Sequence, residues 1–224
     1  MDAREMERIA ASLATDFGIT VVREDSEPWS PDELATLRDG VHDLSRALRG
    51  PARFIENVGS LTVRQVEMRA RGLTSCGEIK FTAAPVSIDR WTVVHELAHA
   101  WDANQRWRLS DALQAATGGY TSLWRKLVLT LLRRCDEKRR LPGCNRFGYF
   151  YGGVPPAGSD RNFNRREDLA ESVAAYVYPS EAQRRVSKYR HRADYQPLLY
   201  YADYTATERW AFIDRLMRGE MGSG

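Results

Sequence analysis

The chain has 224 residues, a length typical of one large domain or of one domain with an added subdomain. Hydrophobic residues make up 43% of the chain and charged residues 28%, so it can bury a core, and no apolar run approaches the roughly 18 residues that a membrane span needs. The 33 basic and 30 acidic residues leave a formal charge of +3, which is too balanced to indicate nucleic-acid binding.

The N-terminal part of the chain is predicted to be mainly helical. Residues 2–17 carry apolar side chains on one helical face and are followed by a glycine, and residues 19–22 form a short strand candidate. Ser30, followed by proline and then by Glu33, predicts the capped start of a second helix. The first ten residues lack the apolar segment of a secretory signal peptide, so we expect a cytoplasmic protein, with export by another route left open.

Residues 51–83 differ in composition from the helical segments that precede them. β-branched and aromatic residues stand between glycines and polar turn residues at 54–55, 61–63 and 77–82. This composition predicts a small, mostly antiparallel sheet.

The remainder of the chain is predicted to be helical, apart from a loop rich in Gly, Pro and Asn at 143–163. The order of the predicted elements, with helices first, a small sheet next and helices alone after it, indicates an α+β fold. We expect the sheet to pack on the helix at 88–104, which carries the candidate active site. We expect residues 1–60 to be an N-terminal helical accessory region and 61–224 to be the main domain, with a single compact unit also possible. The predicted helices cover 88–104, 121–140 and 165–178, with two more near 180–190 and 206–218.

Cysteine and histidine are the scarce residues of this chain. The three cysteines contain no CxxC pair, and their odd number fits a reducing compartment better than a disulfide framework. Two of the four histidines, His95 and His99, form an HExxH motif within the run TVVHELAHAW. Because residues i and i+4 of a helix share one face, both imidazoles can bind one metal ion.

Glu96, inside the HExxH motif, lies one step round the helix from His95. It can therefore reach a water molecule held by the metal without being a ligand itself. Zinc lowers the pKa of such a water, and a neighbouring carboxylate can accept its proton. The uncharged neighbours Val93, Val94 and Leu97 predict a buried helix with its polar face turned to a site. The alternative is a core helix whose histidines are satisfied by hydrogen bonds.

A catalytic zinc site usually has three protein ligands and one open position. The HExxHxxGxxH pattern of metzincins requires Gly at 102 and His at 105, where this chain has Asp102 and Gln105, so that class is excluded. The other histidines, His42 and His191, lie in no ligand-like context. A carboxylate is therefore the favoured third ligand.

The acidic pair Glu167 and Glu171 offers such a carboxylate. The two residues are again four positions apart on a predicted helix, opposite an apolar face. That helix can present a glutamate to the metal, and its partner four residues on can orient a ligating histidine. The alternative is a solvated acidic face on an amphipathic helix.

HELAHAWD at 95–102, followed by NRREDLAESVAAYV at 164–177, resembles the gluzincin zinc metallopeptidases. The resemblance is to the anthrax lethal factor catalytic domain type and its small bacterial relatives, and it covers roughly residues 75–180. It implies a zincin-like fold in 61–224 and one catalytic Zn²⁺. It assigns His95, His99 and Glu167 to the metal, Glu96 as general base, and Glu171 to the support of a ligand.

Such enzymes often carry a tyrosine seven residues before the glutamate ligand, where it stabilises the oxyanion of the tetrahedral intermediate. That position is Asp160 in this chain. Tyr149 and Tyr151 lie in a nearby glycine-containing loop, and Tyr151 is our candidate, with Arg161 as a further donor. The alternative is that both tyrosines pack on the surface of the core. If neither a tyrosine nor Arg161 reaches the site, we expect a slow enzyme.

In zincins, an edge strand beside the cleft pairs with the substrate backbone. The segment 77–82 alternates polar and apolar residues and precedes His95, so we expect it to be this edge strand. Ile79, Lys80 and Phe81 are then the candidate substrate-binding residues. An ordinary edge strand covered by a loop fits the sequence equally well.

Taken together, these patterns predict a zinc-dependent endopeptidase that acts on a protein or peptide, with no nucleic-acid or membrane partner expected. The absence of a tyrosine at position 160 keeps open a catalytically weak or inactive zincin scaffold that binds peptides or regulates a partner. A toxin or effector protease with a single protein target is the third hypothesis. The N-terminal region could then be a docking element or a lid, and the oligomeric state is not predicted.

Overall fold

The computed structural model describes residues 2–22, 29–68, 70–75, 77–83, 88–117, 164–189, 205 and 207–221, with the backbone alone at 186–189. Within these residues the fold is α+β, as predicted: a four-stranded mixed sheet packs against helices, and the C-terminal part is helical. The chain divides into two compact units, Met1–Trp107 with Met217–Gly224, and Arg108–Leu216. The domain boundary after residue 60 stays a prediction. Of the described helices, none is long and apolar enough to cross a membrane.

The first helix begins and ends where the sequence predicts. α1 covers Ala3–Phe17, and the side chain of Asp2 caps it by accepting a hydrogen bond from the backbone N–H of Glu5 at 2.8 Å. Gly18 ends it with a φ of 67°, a left-handed conformation that glycine adopts without steric cost. β1 follows at once, at Ile19–Val21. The buried residues of α1 are Ile9, Leu13 and Phe17.

The second helix, α2 (Pro31–Ala47), has the predicted capping box. The Ser30 hydroxyl accepts from the backbone N–H of Glu33 at 3.2 Å, and the Glu33 carboxylate accepts from the backbone N–H of Ser30 at 3.0 Å. α2 packs closely on a later helix, since a Cβ added at Gly40 would lie 2.6 Å from Cγ1 of Val93. Its apolar stripe is fully buried at Leu34, Leu37, Val41 and Leu44.

A third helix, α3 (Pro51–Val58), lies where we predicted part of the sheet, and that prediction is wrong. Pro51 occupies the first helical position, where its missing N–H is no loss. Phe54 and Val58 are four residues apart and both are buried, which is the spacing of one helical face. The β-type composition of this short segment was therefore outweighed by the positions of its two core residues.

The sheet contains β1, β2 (Leu61–Val66), β3 (Gly72–Ser75) and β4 (Glu78–Thr82), in the order β1-β2-β4-β3. The pairs β1–β2 and β2–β4 are parallel, and only β3–β4 is antiparallel, so the prediction of a mostly antiparallel sheet is wrong. The connection explains the direction: α2 and α3 lie between β1 and β2, and a helical crossover returns the next strand in the same orientation.

The segment 77–82, predicted as the edge strand, lies inside the sheet. β4 pairs with β2 on one side, where Val63 is opposite Ile79, and with β3 on the other, where Thr74 is opposite the same residue. Ile79 and Phe81 are fully buried. The edge position next to β4 belongs to β3, a segment that we did not predict as a strand.

The helix that carries the HExxH motif, α4 (Arg90–Asn104), packs against α2, α3, β3 and β4. The helices of the second unit are α5 (Arg108–Thr117), α6 (Arg165–Val177), α7 (Pro179–Tyr189) and most of α8 (Glu208–Arg218). The three C-terminal helices confirm the prediction, whereas α5 was not predicted. The helix predicted at 121–140 and the loop at 143–163 lie outside the described residues.

Candidate metal centre

The centre is built first on α4. Asp89 caps this helix by accepting a hydrogen bond from the backbone N–H of Thr92 at 2.7 Å, which fixes its start one turn before the motif. His95 and His99 are half-buried, and the helix around them is enclosed, as the sequence predicts. The surrounding buried residues are Val93, Val94, Leu97, Ala98, Ala100 and Trp101.

The two imidazoles converge as their spacing predicts. The Nε2 atoms of His95 and His99 are 3.1 Å apart, and their rings meet edge to face with centroids 4.7 Å apart. Two nitrogen ligands, each about 2.0–2.1 Å from a tetrahedral zinc ion, are themselves about 3.3 Å apart. The observed separation is thus close to what one shared ion requires.

Glu167 is the third residue of the candidate metal-binding group. It lies in the first turn of α6, where the side chain of Asn164 caps the helix by accepting hydrogen bonds from the backbone N–H groups of Arg166 and Glu167 at 2.8 and 3.4 Å. The candidate ligand atoms of His95, His99 and Glu167 all lie within 4.8 Å of one another. The structure therefore contains a three-residue group that could hold a metal ion, and its two imidazoles and one carboxylate fit zinc.

Glu96, the expected general base, is held against the sheet. The residue is only 5% exposed, and its Oε2 accepts a hydrogen bond of 2.7 Å from the Thr74 hydroxyl of β3. A Cβ added at Gly72, two residues earlier on β3, would lie 2.6 Å from Cδ of Glu96. Sequence reasoning missed both residues of β3, because nothing in the sequence pairs 72–75 with the HExxH helix.

The other acidic residues of α6 are also enclosed. Glu171 is 8% exposed, so this member of the acidic pair does not lie on a solvated face, while Glu167 is half-buried. Its support of a ligating histidine stays a prediction. Between the pair, Asp168 is fully buried and bound by Arg209 of α8 through two hydrogen bonds, of 2.7 and 3.0 Å. We predicted no role for Asp168. In the sequence, its partner Arg209 is indicated only by the apolar residues that surround it in α8.

The described part of the structure places none of the remaining predicted residues at the metal centre. Tyr151, the oxyanion candidate, and its alternatives Tyr149 and Arg161 lie outside the described residues. Lys80, expected to contact substrate with Ile79 and Phe81, forms an ion pair with Glu78, with 3.2 Å between Nζ and Oε2. The role of these three strand residues in substrate binding stays a prediction. It was based on an edge position, and β4 is not at the edge of the sheet.

Comparison with known proteins identifies no relative. No protein-family profile, no curated protein sequence and no solved structure matches this chain. The described side chains and the HExxH motif are therefore the observations that indicate its chemistry.

Proposed function

We propose that this protein is a zinc-dependent endopeptidase. The observation that carries the proposal is the grouping of His95, His99 and Glu167 beside Glu96, which lies next to one of the two histidines on the same buried helix. Two imidazoles and one carboxylate are a ligand set of catalytic zinc sites, in which the fourth position is open to water or substrate. When bound, a zinc ion lowers the pKa of a water molecule and polarises a carbonyl group.

Glu96 acts as the general base in this proposal. The water oxygen bonds to the carbonyl carbon of the peptide while Glu96 accepts one of the water's protons. The C–N bond then breaks, and Glu96 gives that proton to the leaving nitrogen, so the water is divided between the new carboxyl group and the new amine. The burial of Glu96 supports this role because a carboxylate shielded from bulk water interacts more strongly with its reaction partners.

Two further roles belong to the proposal. Glu171 orients a ligating histidine. Its burial, one helical turn after Glu167, supports this role. Tyr151 stabilises the oxyanion, and this role depends on the resemblance of the sequence to gluzincins.

The proposed substrate is an extended segment of a protein or peptide that adds to the sheet beside β3. Among the described strands β3 pairs with β4 alone, and it contacts the general base through Thr74, so a strand added at this edge lies near Glu96. In this arrangement Ile79, Lys80 and Phe81 support β3 from inside the sheet.

Zinc content and peptide cleavage test the proposed function together. We expect the wild-type chain to bind one Zn²⁺ ion and to cleave members of a peptide library, with products identified by mass spectrometry. Glu96→Gln should keep the ion and lose at least about a hundredfold in kcat/KM, the usual contribution of a general base. Glu56→Gln, the same change at an exposed position of α3, is the matched control and should leave both unchanged.

One outcome would contradict the proposed peptidase function. Full zinc loading of the wild type with no hydrolysis at any pH would show that the scaffold is not an endopeptidase. Capture of a defined partner that stays uncut would then favour the binding or regulatory function.

A further inference from the structure

We propose that Thr74 is a positioning residue for Glu96, and that Gly72 provides the space in which the carboxylate is held. The inference rests on the proposed function, in which Glu96 is the general base. Residues 72 and 74 share one face of β3 because side chains alternate along a strand, and β3 packs against α4. The strand thus presents one hydroxyl and one position without a side chain to the same glutamate.

The hydroxyl of Thr74 contacts Glu96 at two points. Its Oγ1 is 2.7 Å from the carboxylate Oε2, to which it donates, and 3.1 Å from the backbone carbonyl oxygen of the same residue. A hydrogen bond to a carboxylate is shorter and stronger than one between neutral groups. Thr74 itself is fixed by its pairing with Ile79 of β4, so the donor belongs to a rigid strand.

Gly72 determines where the carboxylate can lie. A Cβ at this position would come within 2.6 Å of Cδ of Glu96, closer than any real Cβ contact, so a side chain here would displace the glutamate. With Oε2 held by Thr74, the other oxygen, Oε1, accepts no hydrogen bond from the described residues. One oxygen is therefore fixed, and the other is left to receive a proton.

A general base needs such a fixed position. Glutamate has three side-chain torsions, and Glu96, unlike its neighbour His95, is not held by a metal in the proposed site. Ordering a free glutamate side chain costs conformational entropy, and proton transfer requires hydrogen-bond distance to the reacting water. Contact with the strand supplies that order before substrate arrives.

The test compares Thr74→Val, which removes the hydroxyl but keeps the shape, with Thr74→Ser, which keeps the hydroxyl. Ser75→Ala, the loss of a hydroxyl from the exposed face of the same strand, is the matched control. Each variant is loaded with Co²⁺ and titrated with acetohydroxamate, followed by visible absorbance. Because this probe gives up a proton when it binds a metal, its affinity depends on a nearby base but needs no turnover. Zinc affinity and, for a cleaved peptide, kcat and KM are measured in parallel.

We expect Thr74→Val to weaken acetohydroxamate binding and to lower kcat by about tenfold each, the scale of one hydrogen bond to a charged group. KM and zinc affinity should stay within about twofold of wild type, and Thr74→Ser should restore both losses. In a Glu96→Ala background the effect of Thr74→Val on the probe should disappear, because only the hydrogen bond to the carboxylate acts on the probe and the contact with the backbone carbonyl does not.

The proposal is overturned if Thr74→Val behaves like Ser75→Ala, if it lowers zinc affinity as much as it lowers probe affinity, or if its effect persists without Glu96. Failure of the proposed function is a separate outcome, seen as absence of peptide cleavage while the acetohydroxamate titrations still report on Thr74. If Thr74→Val does not fold, Thr74→Ala replaces it. Its effect on acetohydroxamate binding is then measured with and without Glu96→Ala, which again shows whether Thr74 acts through Glu96.

Discussion

Replacement of Arg209 by methionine should destabilise the second unit by about 3–5 kcal/mol, the usual cost of removing one partner of a buried ion pair. The guanidinium is 2% exposed and Asp168 is fully buried. Nε and Nη2 of Arg209 donate separately to the two carboxylate oxygens, at 2.7 and 3.0 Å, a fork arrangement that desolvates both groups together. Without the arginine, the buried carboxylate loses two hydrogen bonds from a charged donor.

Urea unfolding of the metal-free chain, followed by circular dichroism and tryptophan fluorescence, measures this change. The double variant Asp168→Leu with Arg209→Met removes both charges, so it should recover most of the lost stability. Arg8→Met is the control, because Arg8 is exposed and pairs with Glu5 on the surface, and its loss should cost less than about 1 kcal/mol.

A loss below about 1 kcal/mol for Arg209→Met, or a double variant as unstable as the sum of the two single variants, would refute this reasoning. The first result would mean that the pair is not desolvated as its burial indicates. The second would mean that the two side chains contribute independently of each other.

Two further predictions concern the first unit and the metal. Gly40→Ala should destabilise the chain by about 1–2 kcal/mol, since the new methyl group would press on Val93, and Val93→Ala should recover part of the loss; a more stable Gly40→Ala chain would show that α2 and α4 are not so closely packed. Zn²⁺ at a hundred times its Kd should add about 2.7 kcal/mol to the wild type, seen as a higher Tm that EDTA reverses. His99→Ala should abolish this Tm shift. His42, whose ring packs on Phe17, is the control position, and His42→Ala should keep the shift. Equal shifts in the wild type and in both variants would contradict the metal site.

Local signals in the sequence predicted the described helices other than α3 and α5, and they predicted the two histidines of the candidate site. The Ser30 capping box and the glycine after α1 act within one turn of chain, and so does the spacing of His95 and His99. The i,i+4 pattern offered Glu167 and Glu171 as carboxylate donors, because a metal with two histidine ligands requires a further donor, and the resemblance to gluzincins selected Glu167.

The sheet could not be predicted in the same way, because strand order depends on contacts between distant segments. We interpreted 54–55 as part of the sheet, which placed a strand directly after α2, and the parallel pairing of β1 with β2 across α2 and α3 was missed. The contact between Thr74 and Glu96 joins residues that are 22 positions apart, and the single hydroxyl of a four-residue strand carries no signal of its partner. The buried pair of Asp168 and Arg209, 41 positions apart, was missed for the same reason.

The parallel pairing of β1 with β2 also determines what an N-terminal truncation would do. β1 is three residues long and lies at the end of the sheet, which is how proteins commonly protect an edge from pairing with other chains. A chain that begins after residue 50 would expose the backbone of β2, whose inner face carries the buried Leu61 and Val63. Such a fragment should self-associate through this edge, so the short strand protects the remaining sheet against aggregation.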